Sequence, residues 1–182
     1  MSKPRPAEAV KLLMSHIYRD GKLLKDILAA LSEEYGDIDF VSARMPFHFT
    51  DYYREEMGAP LERRFIFFNT LMRPESLPDV KICTNDTEDR TSVSGKRLVN
   101  IDPGYISQAH LILATGKGYT HRPYLRDGIY ADLTLMYSGK SFQILPWTYP
   151  DYREKPVIEM FNMVRAKYLM QLRADSKLET RN

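Results

Sequence analysis

Residues 10–36 read VKLLMSHIYRDGKLLKDILAALSEEYG, a stretch in which an apolar run gives way to helical periodicity. The run from Val10 to Tyr18 predicts a strand. Asp20 is a suitable N-cap for a helix over Lys22 to Tyr35, in which leucine and isoleucine recur three and four residues apart. Gly36 follows at the position where helices commonly end. The chain therefore begins with a strand and an amphipathic helix.

The segments that follow continue this alternation. Composition and periodicity predict strands over residues 38–45, 64–72 and 97–102, and a helix from Pro78 to about Thr91. Between the first two strands, Thr50 is suited to begin a short helix that Gly58 ends. The resulting β-α-β-β-α-β order is typical of a ferredoxin-like half.

The second half of the chain predicts an extension of the sheet. Four short apolar segments favour strands, at residues 109–115, 121–125, 129–137 and 142–145. The first of them also fits a buried helix. Helical spacing from Val157 to Leu169 predicts a C-terminal helix, and a polar tail begins at about residue 174. The predicted fold class is α+β: a ferredoxin-like βαββαβ start, further antiparallel strands and a C-terminal helix, in one domain over residues 1–182.

Composition limits the classes of function. With 182 residues, 43% of them hydrophobic and 27% charged, the chain is long enough for one domain with a full core. Cys83 is the single cysteine, which excludes an internal disulfide framework, and the N-terminal residues lack the apolar region of a signal peptide. We therefore expect a cytoplasmic protein. No run of about 20 apolar residues favours a membrane span, and a net charge of +2 does not favour nucleic acid.

Polar side chains interrupt β-type sequence between Arg97 and Asp132, a pattern that indicates a functional site. Such groups are costly to desolvate unless they are paired or used. Alternation puts Asn100 and Asp102 on one face of their strand. Pro103 and Gly104 suit a type II turn, so Asp102 either organises that turn or contributes to a site.

The strand over residues 129–137 has a similar alternation. Its predicted inward positions are apolar, namely Ile129, Ala131, Leu133 and Leu135. The opposite face carries Tyr130, Asp132 and Thr134. If this strand neighbours the Asn100 strand, Asp102 and Asp132 form a carboxylate pair able to hold a divalent cation or to act as acid and base. The alternative is a solvated sheet face with ordinary ion pairs across the strands.

The turn GKGYTHR, residues 116–122, gathers basic side chains between glycines. Lys117 and Arg122 suit a phosphate or carboxylate, because guanidinium and ammonium groups donate hydrogen bonds to such anions. His121 adds a donor and is also able to transfer a proton. A basic solvated turn is the alternative.

Two further sets of residues are candidates for lining a pocket. Lys81, Asn85 and Glu88 share one face of the helix that begins at Pro78, where they either complete a pocket or act as surface charges. Two aromatic clusters either pack under loops or line a pocket together with Asp51, Asp151 and Arg153. The clusters consist of Phe47, Phe49, Tyr52 and Tyr53, and of Trp147, Tyr149 and Tyr152.

Nucleotide-binding motifs are incomplete. TLMYSGKS, residues 134–141, has the end of a phosphate loop, but Thr134 replaces the first glycine and a predicted strand follows. Gly139 and Lys140 instead predict a hairpin turn. A phosphate-loop GTPase or a Rossmann enzyme is therefore disfavoured.

Five motifs carry a resemblance to a known family. They are FHFTDYYREEMG, KICTND with Glu88, RLVNIDPGY, THRPYLRDGIYADLTL and LPWTYPDYR. Together they resemble the prokaryotic domain-of-unknown-function 4416 family over almost the whole chain. The function of that family is not established. Some members are labelled GTP-binding proteins, a label that the incomplete phosphate loop does not support.

The residues favour a pocket for an anionic small molecule, either a nucleotide or a phosphorylated metabolite. Lys117, His121 and Arg122 would bind the anion, with Asp102 and Asp132 as cation ligands or as acid and base. The remaining predicted ligand-binding residues are Asn100, Tyr130, Lys81, Asn85 and Glu88. The alternative is a noncatalytic interaction protein with an aromatic partner surface. RNA binding ranks last, because no RNP-like aromatic signature is present.

Overall fold

In the computed structural model, residues 3–179 are described, with side chains as far as residue 174. The described residues form nine strands and four α-helices. The strands are β1 Val10–Tyr18, β2 Ile38–Val41, β3 Met45–Phe47, β4 Leu61–Met72, β5 Val99–Ile106, β6 His110–Thr115, β7 Tyr124–Arg126, β8 Ile129–Ser138 and β9 Ser141–Ile144. The helices are α1 Gly21–Tyr35, α2 Arg54–Met57, α3 Leu77–Arg90 and α4 Lys155–Glu179.

All of these strands belong to one antiparallel sheet. Its first part has the order β2-β4-β1-β5, with α1 and α3 as crossovers, which is the arrangement of a ferredoxin-like fold. The sheet continues through β6 and β8 to β7, while β3 pairs with β4 and β9 with β8. The predicted α+β class is confirmed, including its ferredoxin-like start, its added antiparallel strands and its C-terminal helix.

The first face of the sheet is covered by α1 and α3. Asp20 caps α1 by accepting hydrogen bonds from the backbone N–H groups of Lys22 at 2.8 Å and Leu23 at 3.4 Å. Gly36 ends the helix with a φ of +89°, a conformation that other residues adopt only with strain. The apolar side of α1 packs on β1, β4 and β5. The local signals of residues 10–36 are therefore confirmed.

The opposite face is covered by α4. Phe161 of this helix lies against Phe65 and Tyr152, with ring centroids 5.1 Å and 5.8 Å apart. The helix continues to Glu179, through the first residues of the predicted polar tail, and residues 180–182 lie outside the described part of the chain. None of the described helices is long and apolar enough to cross a membrane.

The path of β5 differs from its prediction. The strand continues through Pro103 and Gly104 to Ile106, so the predicted type II turn is wrong. Pro103 is tolerated because β6 pairs with β5 only from Gly104 onward, which leaves no neighbouring strand on that side of Pro103. A Cβ atom at Gly104 would lie 2.3 Å from the carbonyl oxygen of Ile112. Glycine is therefore required for the close approach of β6, not for a turn.

A bulge interrupts the alternation of β8. Leu133 and Leu135 pair with consecutive residues of β6, which leaves Thr134 unpaired. Thr134 Oγ1 lies 3.3 Å from Asp132 Oδ1. Leu135 packs beneath α4, on the same side of the sheet as Asp132, whereas Leu133 pairs with Ile112 on the other side. The prediction that Leu133 and Leu135 share one inward face is therefore wrong.

Other differences concern the limits of strands. Residues 38–45 contain β2 and the start of β3 instead of one strand. β7 begins only at Tyr124, so His121 and Arg122 lie in the preceding loop. At the β8–β9 turn, Gly139 and Lys140 have φ values of 57° and 74°, which confirms the predicted hairpin.

Candidate functional site

A cavity of about 710 Å³ lies where β5 and β6 diverge. The two strands pair only through residues 104–106 and 111–113, so the first half of β5 separates from the end of β6. Asn100, Asp102 and Asp132 line the cavity from the sheet. Residues of α3 and of two loops, 47–53 and 149–152, complete its walls.

Asn100 and Asp102 lie together in this cavity, as the alternation of β5 predicts. Asn100 Nδ2 donates a hydrogen bond of 2.8 Å to Asp102 Oδ2. Arg97 Nη1 donates to Asn100 Oδ1 at 2.9 Å. These bonds fix the orientation of the amide and, through it, of the carboxylate.

Arg97 links this pair to two helices. Its Nε and Nη2 each donate to Glu56 of α2 at 2.7 Å, and Nη1 donates to Glu88 of α3 at 2.9 Å. The hydrogen bonds to Glu56 raise the pKa of Arg97. Burial raises the pKa of Glu88, whose Oε1 also accepts a hydrogen bond of 2.6 Å from the Ile101 N–H. Glu88 therefore supports the cavity from behind, and Arg97 and Glu56 are functional candidates that the sequence reasoning missed.

Helix α3 contributes Lys81 and Asn85 to the cavity wall. Lys81 is buried, and its Nζ donates to the Ile101 carbonyl oxygen at 2.9 Å. The same Nζ lies 3.7 Å from Asp102 Oδ1. Since an ammonium group has three donors, Lys81 keeps hydrogen-bonding capacity beyond its bond to Ile101.

Arg63 of β4 is a second cation that the sequence reasoning missed. Only 7% of the residue is exposed, and its guanidinium lies 4.8 Å and 5.3 Å from the ring centroids of Phe47 and Tyr152. Its Nη1 is 2.9 Å from Asp151 Oδ2, so the two groups form an ion pair, but the angles at these atoms are unsuitable for a hydrogen bond. Among the described residues, no acceptor meets Nε or Nη1. The available signal in the sequence was the two adjacent arginines of ERRF, residues 62–65, within an otherwise apolar strand.

Asp151 completes this buried pair. Burial raises the pKa of its carboxyl group, and the nearby Arg63 guanidinium opposes that shift only in part. The Tyr152 hydroxyl beside it is also buried without a hydrogen-bond partner among the described residues. This end of the cavity thus holds several polar atoms whose hydrogen-bonding capacity is unused.

Asp132 is paired with residues of the preceding loop. Arg122 Nε donates to Asp132 Oδ2 at 2.8 Å, and Arg122 Nη2 donates to the Tyr149 hydroxyl at 2.7 Å. His121 Nε2 lies 3.7 Å from the same carboxylate oxygen, and its ring stacks on Trp147 at 4.7 Å. Burial raises the pKa of Tyr149 to about 12. Arg122 and His121 therefore lie behind Asp132 and do not line the cavity.

The assumed adjacency of the two aspartate strands is wrong. β6 lies between β5 and β8, so Asp102 and Asp132 are not on neighbouring strands, and the divergence of β5 from β6 at Asp102 separates them further. They nevertheless line one cavity. Among the described residues, no group of three or more histidine, cysteine, aspartate or glutamate side chains is arranged to hold a metal ion.

Lys117 lies at the rim of the cavity. Its Nζ is 3.5 Å from the Tyr52 hydroxyl and 4.9 Å from the centroid of that ring. No described carboxylate forms an ion pair with it. Tyr130, in contrast, packs under Gly118 and against Tyr124 at a ring-centroid distance of 5.3 Å, outside the cavity lining.

Most residues of the two aromatic clusters line the cavity. The lining includes Phe47, Phe49, Tyr52, Tyr53, Tyr149 and Tyr152, but not Trp147. Trp147 instead donates its indole N–H to the Leu133 carbonyl oxygen at 2.7 Å. The aromatic walls bring together two segments that are about 100 residues apart in the sequence.

Comparison with known proteins identifies the family. Residues 8–168 match the model of a domain of unknown function, DUF4416. The chain belongs to the DUF4416 family. This confirms the resemblance that the five motifs carry. No curated protein and no solved structure matches the chain.

The cavity lies entirely within the DUF4416 domain, because its lining residues fall between Phe47 and Tyr152. Of the residues predicted to form a site, it gathers Asn100, Asp102, Asp132, Lys81, Asn85 and Lys117. His121, Arg122, Tyr130 and Glu88 lie outside its lining. The geometry thus brings cations, carboxylates and aromatic rings into one space.

Proposed function

We propose that the cavity binds an anionic small molecule of the nucleotide or phosphorylated-metabolite class. The observation that carries this proposal is the buried Arg63 guanidinium, which makes no hydrogen bond to the described residues. A guanidinium cannot shed its charge by deprotonation, and burying it without hydrogen bonds is unfavourable. Nε and Nη1 have no exposed surface, so an anion in the cavity would supply acceptors for the remaining nitrogen, Nη2.

Lys117 supports the proposal with a second cation. Its ammonium stands at the rim, beside Tyr52 and without a described carboxylate partner. Such a charge attracts an anion toward the opening. Arg122 was expected to bind the anion directly, but its three nitrogens already donate to Asp132, Lys117 and Tyr149. In this proposal Arg122 is a positioning residue.

The walls favour a ligand with a ring. Phe47, Phe49, Tyr52 and Tyr53 offer flat apolar surfaces, and the volume of about 710 Å³ lies within the range of small-molecule sites. Six of the seven clustered aromatic residues line the cavity. Because these rings surround one cavity, we favour a small molecule over the alternative of an aromatic surface for a protein partner, although Phe49, Tyr52 and Tyr149 are also exposed to solvent.

The same binding experiment tests the predicted role of Asp102 and Asp132 as ligands of a divalent cation. Asp132 is already paired with Arg122, whereas Asp102 keeps an exposed oxygen. Cations such as Mg²⁺ are commonly held by one or two carboxylates together with ligand phosphates. The binding experiment is therefore run with and without Mg²⁺.

The test is a thermal-shift and calorimetric titration of the full chain with inorganic phosphate, pyrophosphate, adenylate and ATP. We expect at least one of these anions to raise the Tm, since a ligand of the native state stabilises it. Lys117→Met should weaken binding about tenfold, because it removes one charge contact. Lys96→Met is the matched control, an exposed lysine outside the cavity. The proposal fails if none of the anions binds, or if both variants weaken binding equally.

A further inference from the structure

Three aspartates line the cavity, and they differ in how much of each carboxylate is free. The Asp132 side chain is 3% exposed and paired with Arg122, and the Asp151 side chain is 8% exposed and faces Arg63. The Asp102 side chain is 31% exposed. Asp102 is therefore the carboxylate that a ligand in the cavity meets.

The hydrogen bonds of Asp102 leave one oxygen open. Oδ2 accepts from Asn100, while Oδ1 has Lys81 Nζ as its nearest charged neighbour, at 3.7 Å, too far for a hydrogen bond. Among the described residues, no donor bonds to Oδ1. A carboxylate has about four acceptor positions, so Asp102 is able to accept at least two further hydrogen bonds.

The carboxylate is also held in place before a ligand arrives. Asn100 fixes it at 2.8 Å, and Arg97 fixes Asn100 at 2.9 Å. Arg97 is anchored in turn by Glu56 and Glu88. A preorganised acceptor loses little conformational entropy when it binds a donor.

The neighbours of Asp102 add donors. Lys81 is buried beside it with unused N–H groups, and Asn85 lines the same wall one helical turn away. A hydroxyl both donates and accepts hydrogen bonds, so an acceptor beside donors suits adjacent hydroxyls. A phosphate would be repelled by Asp102, so we place the anion away from that carboxylate, at Arg63 or at Lys117.

We infer, on the basis of the proposed function, that the anionic ligand also carries a vicinal diol, as the ribose of a nucleotide or another sugar phosphate does. Asp102 accepts hydrogen bonds from the two hydroxyls, and Lys81 donates to one of them. The ligand thereby spans the cavity from its anion contacts to its diol contacts.

The experiment compares pairs of ligands that differ by one hydroxyl, with the full chain throughout. Adenylate is compared with deoxyadenylate, and ribose phosphate with deoxyribose phosphate, by calorimetry and thermal shift. We expect the hydroxyl to strengthen binding about tenfold in the parent protein, because its loss leaves a polar group of the site unpaired. Asp102→Asn should weaken this preference several-fold, because the amide has one acceptor oxygen and no charge, whereas the carboxylate has two charged oxygens. Asp86→Asn, the same charge change at an exposed position of α3, should retain it.

The outcomes separate the two proposals. If phosphorylated ligands bind but the parent protein binds each ligand and its deoxy counterpart equally well, the diol inference is overturned and the anion site remains. If Asp102→Asn keeps the preference, the assignment to Asp102 is overturned. If none of the phosphorylated ligands binds the parent protein, both proposals fail. The comparison within the parent protein does not depend on the folding of any variant.

Discussion

Two cations are buried on the α4 face of the sheet, and their surroundings differ. Lys11 of β1 is fully buried, and its Nζ donates to Asp39 Oδ2 at 2.5 Å and to Gln171 Oε1 at 2.9 Å. Arg63 of β4 is nearly as buried, but it makes no hydrogen bond to the described residues. The first cation holds α4 against the sheet, whereas the second faces a cavity.

This difference shows why burial alone does not identify a functional charge. A buried charge that serves the fold has its hydrogen bonds satisfied by the fold. A buried charge whose hydrogen-bond donors have no acceptor lowers the stability of the fold unless another molecule supplies acceptors.

Lys11→Met should lower the free energy of unfolding by about 3 kcal/mol, because it leaves the Asp39 carboxylate buried with one partner fewer. The measurement is urea unfolding at neutral pH. Lys167→Met is the matched control, since Lys167 contacts the same carboxylate at 2.9 Å but is 47% exposed. An exposed ion pair contributes at most about 1 kcal/mol. Equal losses in the two variants would contradict the structural role assigned to Lys11.

Some features of the fold and of the cavity are predicted by the sequence, and others are not. Local signals were sufficient for α1, because Asp20 and Gly36 act on their own helix ends. Alternation likewise predicted that Asn100 and Asp102 share a face. These patterns depend on neighbours within one element.

The remaining features depend on pairings between distant segments. Pro103 and Gly104 resemble a turn in the sequence, and only the late start of β6 pairing makes them part of a strand. The two arginines of ERRF are unusual in an apolar strand, but they do not reveal the role of Arg63, because Asp151 and the aromatic walls come from other parts of the chain. The bulge at Thr134 has the same origin in strand pairing.

His16 is a third buried ionisable group, and its imidazole loses its charge more readily than Lys11 or Arg63. His16 is fully buried without hydrogen-bond partners for its ring nitrogens among the described residues, and burial lowers its pKa to about 4. The unfolded chain, with an ordinary histidine pKa near 6.5, takes up the proton at a higher pH than the folded chain does. The His16 contribution to stability is therefore present above about pH 6.5 and is lost as the pH falls toward about 4.

Between about pH 7.5 and about pH 5, this linkage should lower the free energy of unfolding by about 2 kcal/mol. Urea unfolding at the two pH values measures the change. In His16→Leu the same pH change should cost about 2 kcal/mol less, since the variant has no proton to gain at this position. Identical pH dependence in the two proteins would exclude the neutral, buried state of His16.

The smallest expected change in stability comes from removing the buried ion pair of Arg63 and Asp151. Arg63→Met/Asp151→Asn eliminates both buried charges, so neither is left without its counterion, and the free energy of unfolding should stay within about 1 kcal/mol of the parent value. The same variant should no longer be stabilised by the anion that stabilises the parent protein, because the buried guanidinium is absent. Urea unfolding with and without that anion measures both quantities. A loss as large as that of Lys11→Met would mean that the Arg63 pair serves the fold, and the contrast between the two cations would disappear.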